Sequence, residues 1–415
     1  MQTALSSEFA GTAEGREAEA ILRKCVHCGF CTATCPTYQL LGDELDGPRG
    51  RIYLMKQVLE GETPTRATQV HLDRCLTCRN CETTCPSGVQ YGRLVEIGRS
   101  IVDAKVPRPL PERAARLALK EGLTSQAFAP AVAVGRAVRP LLPKGLRSKV
   151  PGAPPAGADR WPTRRHPRRM LLLAGCVQPA LAPNIGSATA RVLDACGIET
   201  VVAAEAGCCG AIRLHLDDLE GARAHMRRAI DAWWPQVAAG SVEAIAMNAS
   251  GCGVTVKEYG HALAGDPAYA EKAARVSSLV KDVTELLPEL VPALQRTLGD
   301  RLPTGVPRRL VFHPPCTLQH GQRVVRTLEP ALAALGFDVR LAAAESHLCC
   351  GSAGTYSVLQ PALATALRDR KLAELERTAP ETIVSANVGC IQHLQSGTAT
   401  PVRHWIEVLD QALAG

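Results

Sequence analysis

Two cysteine runs hold the densest chemistry in this chain. The first reads Cys25-Val26-His27-Cys28-Gly29-Phe30-Cys31-Thr32-Ala33-Thr34-Cys35-Pro36, and the second reads Cys75-Leu76-Thr77-Cys78-Arg79-Asn80-Cys81-Glu82-Thr83-Thr84-Cys85-Pro86. Both follow C-x2-C-x2-C-x3-C-P. Three thiolates separated by two residues, in a tight loop, can wrap three corners of one iron–sulfur cubane. The fourth lies too far round to close the same cluster, and its proline sends the chain away. Two such runs close each other's clusters crosswise. The spacing assigns one 4Fe–4S cluster to Cys25, Cys28, Cys31 and Cys85, and the other to Cys75, Cys78, Cys81 and Cys35. Structural zinc closes with four ligands and does not repeat a three-plus-one spacing.

A second set of cysteines recurs in the C-terminal half. Cys176, Cys208, Cys209 and Cys252 are followed by Cys316, Cys349, Cys350 and Cys390 in the same order. The elements that must position them also repeat. In the first copy we read strands at Met170–Ala174, Thr200–Ala204 and Ala244–Met247, with helices at Ile185–Ala195 and about Asp218–Ala239. A short strand and helix at Ser278–Leu287 follow. In the second copy, strands at Arg309–His313, Val339–Ala343 and Ile383–Ala386 alternate with helices at Val324–Leu335, Pro361–Arg377 and His404–Ala414. Alternation of this kind implies a parallel sheet covered by helices, and the shared order implies duplicated domains. The cysteines follow strands, so they gather at the carboxyl ends, where open α/β sheets bind ligands. Vicinal pairs such as Cys208/Cys209 and Cys349/Cys350 are unusual for packing alone, and thiolates suit soft metals. These eight are candidate cluster or redox cysteines. Cys196 lies outside the repeat and reads as core. His313, His320 and His347 flank the second copy, where lone histidines are usually structural, and Lys257 and Glu258 read as a solvated helix face.

The totals bound the rest. The 415 residues suffice for two or three domains, with 46% hydrophobic but only 4% aromatic residues, so the cores are aliphatic. Seventeen cysteines could suggest a secreted disulfide scaffold, but the chain is long, opens without a signal-like segment and keeps its cysteines in metal spacings. No apolar window is long enough to span a bilayer. The net charge of +7 is modest, and no nucleic-acid motif accompanies it.

Residues 1–105 hold the cluster loops, with helices expected at about Gly15–Arg23, after the turn Asp46–Gly50, and at Arg93–Val102. Residues 106–169 read as a helical extension and then a proline-rich linker from Val150, carrying Pro151, Pro154, Pro155, Pro162 and Pro167. It ends in Arg164-Arg165-His166-Pro167-Arg168-Arg169, which reads first as a solvated hinge and second as a docking strip for anionic lipid or an acidic partner. The two cysteine-rich domains occupy 170–290 and 308–415. The fold class is therefore α+β multidomain: an N-terminal α-helical ferredoxin domain followed by two repeated α/β parallel-sheet domains.

The helical insert between the cysteine runs resembles the ferredoxin domain of the succinate dehydrogenase iron–sulfur subunit. The Cys-Cys-Gly repeats resemble the cysteine-rich domains of the heterodisulfide reductase catalytic subunit. Taken together, the chain is similar over nearly its full length to the glycolate oxidase iron–sulfur subunit family. The stretches that carry this likeness include Gly47-Pro48-Arg49-Gly50-Arg51-Ile52-Tyr53, Ser250-Gly251-Cys252-Gly253, Cys316-Thr317-Leu318-Gln319-His320 and His347-Leu348-Cys349-Cys350-Gly351. One departure stands out. Where the heterodisulfide reductase type closes each repeat with a C-x2-C pair, this chain has Thr255 and His393, leaving four cysteines per half and His393 as a candidate extra ligand.

No nucleotide-binding glycine fingerprint follows the strands, and no Ser/His/Asp or paired-carboxylate set stands out. No substrate chemistry is expected on this polypeptide alone, and none of its residues is assigned as catalytic. A two-electron oxidation needs a cofactor such as flavin to split electrons for the clusters, and that flavin is expected on another chain. The resemblance implies flavin-binding glycolate oxidase subunits as partners in a hetero-oligomer. They would oxidise glycolate to glyoxylate, with D-lactate as a second candidate substrate, and this chain would relay electrons to a membrane quinone pool from a cytoplasmic, peripheral seat on the inner membrane. Two rivals are an anaerobic glycerol-3-phosphate dehydrogenase relay and a thiol–disulfide enzyme working through the Cys-Cys-Gly centres.

Overall fold

A computed structural model describes residues 1–141, 152–153, 157–299 and 301–414. Pro151, Pro154 and Pro155 of the expected linker lie outside the described residues, as does the end of the expected helical extension from residue 142 on.

The N-terminal part is helical throughout. Thr12 caps the helix Ala13–Lys24 by accepting from the Gly15 N–H at 2.9 Å. Pro48 opens the helix Pro48–Leu59, where its missing N–H costs nothing. That helix buries Ile52, Met55, Val58 and Leu59 against Leu94, Val95 and Val102 of the helix Tyr91–Lys105. The spacing of these residues puts them on one face, which supplies most of the stability of such short helices. Two further helices, Leu110–Thr124 and Phe128–Val138, bury none of their residues.

Two four-stranded sheets follow, both parallel throughout. The first has the order β2-β1-β3-β4, with β1 at Arg168–Leu172, β2 at Ile198–Val201, β3 at Ala244–Met247 and β4 at Val280–Asp282. The second repeats it as β6-β5-β7-β8, with β5 at Arg309–Phe312, β6 at Asp338–Leu341, β7 at Thr382–Ser385 and β8 at Val402–His404. Of the central strands, β3 (Ala244–Met247) is apolar and buried throughout, while β1 and β5 are apolar and buried after their leading arginines.

Three details differ from the sequence reading. The helix expected at Val324–Leu335 is only Leu328–Ala334, because Arg323 (φ 59°) and Arg326 (φ 54°) hold left-handed backbone that a right-handed helix excludes. The expected domain limit at residue 290 falls inside the helix Val283–Leu298, which runs on unbroken. The expected basic strip is partly paired: Arg165 pairs with Glu199, His166 with Asp194 at 2.8 Å, and Arg168 with Glu243 at 2.8 Å and Glu289 at 2.6 Å, while Arg164 and Arg165 remain exposed. Arg168 and Arg169 are already part of β1.

The two halves share one hydrophobic core. Ile185, Ala188 and Val192 of the helix Pro183–Ala195 belong to the same buried cluster as Ile406, Leu409 and Ala412 of the last helix, Trp405–Ala414. Arg191 pairs with Asp410 at 2.6 Å across this contact. Each buried aliphatic side chain here stabilises the joint by roughly 1.5–3 kcal/mol relative to exposure.

Candidate metal centres

The two N-terminal cysteine loops have the same backbone. Cys25 ends its helix with its N–H on the Leu22 carbonyl at 3.0 Å. His27 (φ 55°) and Gly29 (φ 84°) then turn the chain twice through left-handed space, and Cys31 rides on the short helix Phe30–Ala33. Thr77 (φ 51°) and Arg79 (φ 61°) repeat the turn ahead of Asn80–Thr84, which carries Cys81. Arg79 takes a conformation that costs a side-chain-bearing residue roughly 1–2 kcal/mol. Its guanidinium is held there by Glu82 at 3.0 Å and by Glu258 of the first cysteine-rich domain.

Cys25, Cys28, Cys31 and Cys85 line one cavity. Cys35, Cys75, Cys78 and Cys81 line another. Cys81 and Tyr91 border both, so the two nests share a wall. The second is the better buffered. Burial pushes the Cys75 thiol up, but Arg51 and Arg99 outweigh it and leave it below its ordinary value. Its sulfur also accepts from the Thr77 N–H at 3.4 Å and the Tyr91 hydroxyl at 3.6 Å. Arg51 is 1% exposed, and it donates to the His71 carbonyl at 2.7 Å and the Thr37 hydroxyl at 3.1 Å while pairing with Asp46 at 3.4 Å. Burial and neighbouring thiols push Cys31 up to about 11 and raise Cys78 and Cys81 strongly. Converging sulfurs that resist ionisation together fit a cationic metal group that completes them. When bound, an iron–sulfur group accepts and releases single electrons.

The second set forms two further groups. In each, a strand delivers a cysteine into the same end of its sheet: β1 leads to Cys176, β2 to Cys208 and Cys209, and β3 to Cys252 on the helix Ser250–Lys257. β5 leads to Cys316, β6 to Cys349 and Cys350, and β7 to Cys390 on Val388–Gln395. The glycine of each Cys-Cys-Gly has a physical reason. Gly210 (φ 92°) and Gly351 (φ 89°) sit in left-handed backbone, with a Cβ barred by the Ala222 carbonyl at 3.0 Å and the Ala364 carbonyl at 2.5 Å. That turn aims their N–H groups at Cys208 Sγ and Cys349 Sγ, both at 3.4 Å.

Within the first group the thiols bias one another: Cys176 and Cys209 hold the Cys208 thiol below its ordinary value, and Cys208 raises both of them. In the second group Cys316 Sγ lies 3.8 Å from Cys349 Sγ, and Cys350 Sγ lies within 4.8 Å of Cys390 Sγ. None of the 17 cysteines is in a disulfide. Cys196 closes its helix and packs against the core, apart from both groups.

The flanking residues divide. His320 donates from Nε2 to the His347 carbonyl at 2.9 Å, so its Nδ1 accepts from the Thr83 hydroxyl at 2.9 Å. Asn80 donates to the same His347 carbonyl at 3.3 Å. These residues pin the second cysteine loop to the second cysteine-rich domain. Glu258 is no solvated face, since it holds Arg79, and Lys257 pairs with Glu285 at 2.5 Å. His393 is turned away, with its Nε2 on the Ala364 carbonyl at 3.1 Å. His313 is different: it is 1% exposed, neither ring nitrogen has a partner, and its ring lies within 4.8 Å of the sulfurs of Cys350 and Cys390. Lys371, also buried, lies on the helix Pro361–Glu376 close enough to Cys349 and Cys350 to feel their charge. Leu367 and Leu375, four residues to either side, are both buried and would have signalled a lysine facing inward.

The groups are contiguous. Cys78 packs against the apolar cluster that contains Cys316 and Cys349. The halves meet at their strand ends, where the Ser250 and Thr317 hydroxyls lie 2.7 Å apart and the Gly251 N–H reaches Asn387 Oδ1 at 3.3 Å.

A two-nest cysteine domain seated on a pair of thiol-lined α/β domains is the build of an iron–sulfur electron carrier. Family models agree in both parts: a 4Fe-4S dicluster domain matches residues 21–89, and a cysteine-rich domain matches 170–257 and 310–395. The chain is 55% identical to the glycolate oxidase iron–sulfur subunit of Escherichia coli (strain K12), over 100% of this chain and 99% of that one. It is 31% identical to a probable glycolate oxidase iron–sulfur subunit of Bacillus subtilis (strain 168), over 91% and 89%. A lactate utilization protein A of Geobacillus thermodenitrificans (strain NG80-2) is 23% identical over 58% of this chain and 98% of its own length. The chain belongs to the family of glycolate oxidase iron–sulfur subunits. It binds iron–sulfur clusters and has an electron-transfer role.

Proposed function

We propose that this chain is the electron relay of a glycolate-oxidising complex. Flavin-bearing partner chains would remove two electrons and two protons from glycolate, leaving glyoxylate, with D-lactate as a second substrate. This chain would take the electrons singly and hand them to a quinone-type acceptor. Cys25, Cys28, Cys31 and Cys85 would hold one 4Fe–4S cluster, and Cys75, Cys78, Cys81 and Cys35 the other. The groups Cys176, Cys208, Cys209, Cys252 and Cys316, Cys349, Cys350, Cys390 would hold additional iron–sulfur centres.

The observation that carries this reading is the packing of Cys78 against the buried cluster that contains Cys316 and Cys349. It makes the second nest and the second cysteine-rich group neighbours, and with the wall shared at Cys81 it sets three of the four thiol groups side by side. Arg51 and Arg99 would stabilise added negative charge there.

A peripheral seat on the inner membrane is part of the proposal. Among the described residues no helix is long and apolar enough to cross a membrane. The helices Leu110–Thr124 and Phe128–Val138 instead expose Leu110, Leu117, Val134 and Val138, with Arg113 among them, a composition suited to the headgroup boundary of anionic lipid.

The test uses the purified complex under anaerobic conditions. With Cys78→Ser, glycolate should still reduce the flavin while quinone reduction falls at least tenfold. Unchanged quinone reduction, or turnover of glycerol 3-phosphate in place of glycolate, would overturn the reading.

A further inference from the structure

The two cysteine-rich groups are not equivalent, and the difference lies in one buried imidazole. Counting back three residues from the first cysteine of each group gives Leu173 in the first domain and His313 in the second. Leu173 packs in an apolar cluster with Cys209. His313 occupies the matching strand end, and its backbone is fixed there: its N–H donates to the Val384 carbonyl at 2.8 Å, and its carbonyl accepts from the Ser385 hydroxyl at 3.0 Å. The ring therefore has a set position. It is buried, both nitrogens lack a hydrogen-bond partner, and it stands within 4.8 Å of Cys350 Sγ and Cys390 Sγ.

A buried imidazole with no partner is costly, at roughly the desolvation penalty of an unmade hydrogen bond. Such a group is retained where something completes it. Two thiols at the same point make a metal group the completing partner, because imidazole and thiolate together suit iron and zinc. His393, the ligand suggested by its place in sequence, spends its ring on a backbone carbonyl.

We infer that His313 is a ligand of the iron–sulfur centre in the second cysteine-rich domain, which thereby has a mixed imidazole–thiolate shell, whereas the first domain's shell is all thiolate. This rests on the proposal that both groups are metallated. Imidazole in place of thiolate raises the potential of an iron–sulfur centre. The buried cation of Lys371 acts in the same direction, and the register set by Ala364 and Ala222 places Ala229 at its position in the first domain. The second group, beside Cys78, would be the stronger electron acceptor of the two.

The experiment is pulsed electron paramagnetic resonance on the full chain, purified anaerobically with and without isotopically labelled histidine, alongside iron and zinc assays. The expected result is more than the roughly eight irons that two cubanes supply, with a directly bonded nitrogen coupling that changes on labelling. In His313→Cys that coupling should vanish with iron retained, and one redox midpoint should fall; in His313→Leu both coupling and iron should drop. Iron stopping at about eight would sink the metallation of these domains, and the His313 assignment with it. Excess iron without nitrogen coupling in the unmutated chain, or zinc in the second group, would sink the His313 assignment alone. The measurement on the unmutated chain decides the matter even where a variant fails to fold.

Discussion

The Tyr356 hydroxyl donates to the Arg74 carbonyl across 3.1 Å, joining the residue ahead of Cys75 to the turn that follows Cys349-Cys350-Gly351. It ties the second nest to the second cysteine-rich group where Cys78 packs against the cluster that contains Cys316. Tyr356→Phe keeps the ring and removes only this bond. The expected cost is about 1 kcal/mol of stability, read as a small fall in Tm. Electron transfer between the two centres should slow while each cluster's own spectrum stays unchanged.

The crosswise grouping of the N-terminal cysteines gives a sharper expectation. Cys85 is ten residues from Cys75 in sequence but lines the cavity of Cys25, Cys28 and Cys31, and Cys35 lines the other. Cys85→Ser should therefore remove or convert the cluster of the first run, leaving that of the second run intact; Cys35→Ser should do the reverse. Each variant should lose up to about four irons. Spectra in which Cys85→Ser perturbs only the centre of Cys75, Cys78 and Cys81 would refute the arrangement.

Much of this was legible in the sequence because its signals are local. Cysteine spacing within a run sets a loop, and apolar strands followed by helices set a parallel sheet. What stayed hidden depends on residues far apart in the chain. Arg51 looks like any helix arginine until Thr37, Asp46 and His71 close around it. The three-residue strand β8 carries too little pattern to be read before its pairing with β7 is known. The break before Leu328 rests on left-handed arginines, which nothing in residue type announces. His313 was visible as a histidine near cysteines, but its missing partners are a property of the packed fold alone.

Gly351 and Gly240 separate two costs that glycine substitution mixes. Both have positive φ, at 89° and 61°, but a Cβ at Gly351 meets the Ala364 carbonyl at 2.5 Å, whereas Gly240 has open space within 4 Å. Gly240→Ala should lose about 1 kcal/mol from backbone strain. Gly351→Ala adds an overpacking cost and should lose about 3 kcal/mol. It should also cost the second cysteine-rich group its metal, because the Gly351 N–H would no longer point at Cys349. Equal shifts in Tm for the two variants would contradict this account of the Cys-Cys-Gly turn.

Asp282 offers a test by pH. It is fully buried, caps the helix Val283–Leu298 by accepting from the Thr284 N–H at 2.9 Å, and accepts from Gln322 of the other half at 3.4 Å. Burial raises its carboxyl to about 6 from an ordinary 3.8. A folded-state value above the unfolded one means that the folded protein holds the proton more tightly. The resulting stabilisation is complete below about pH 4 and disappears as pH rises through about 6, amounting to roughly 3 kcal/mol in all. About 1.4 kcal/mol of it falls between pH 5 and pH 7.5. Asp282→Asn keeps a good cap and cannot ionise, and its amide can donate to Gln322 Oε1, which has no partner in the parent. The variant should gain in Tm relative to the parent as pH is raised from 5 to 7.5. A difference that stays flat, or shrinks, over that interval would show that the Asp282 carboxyl is not held protonated by the fold.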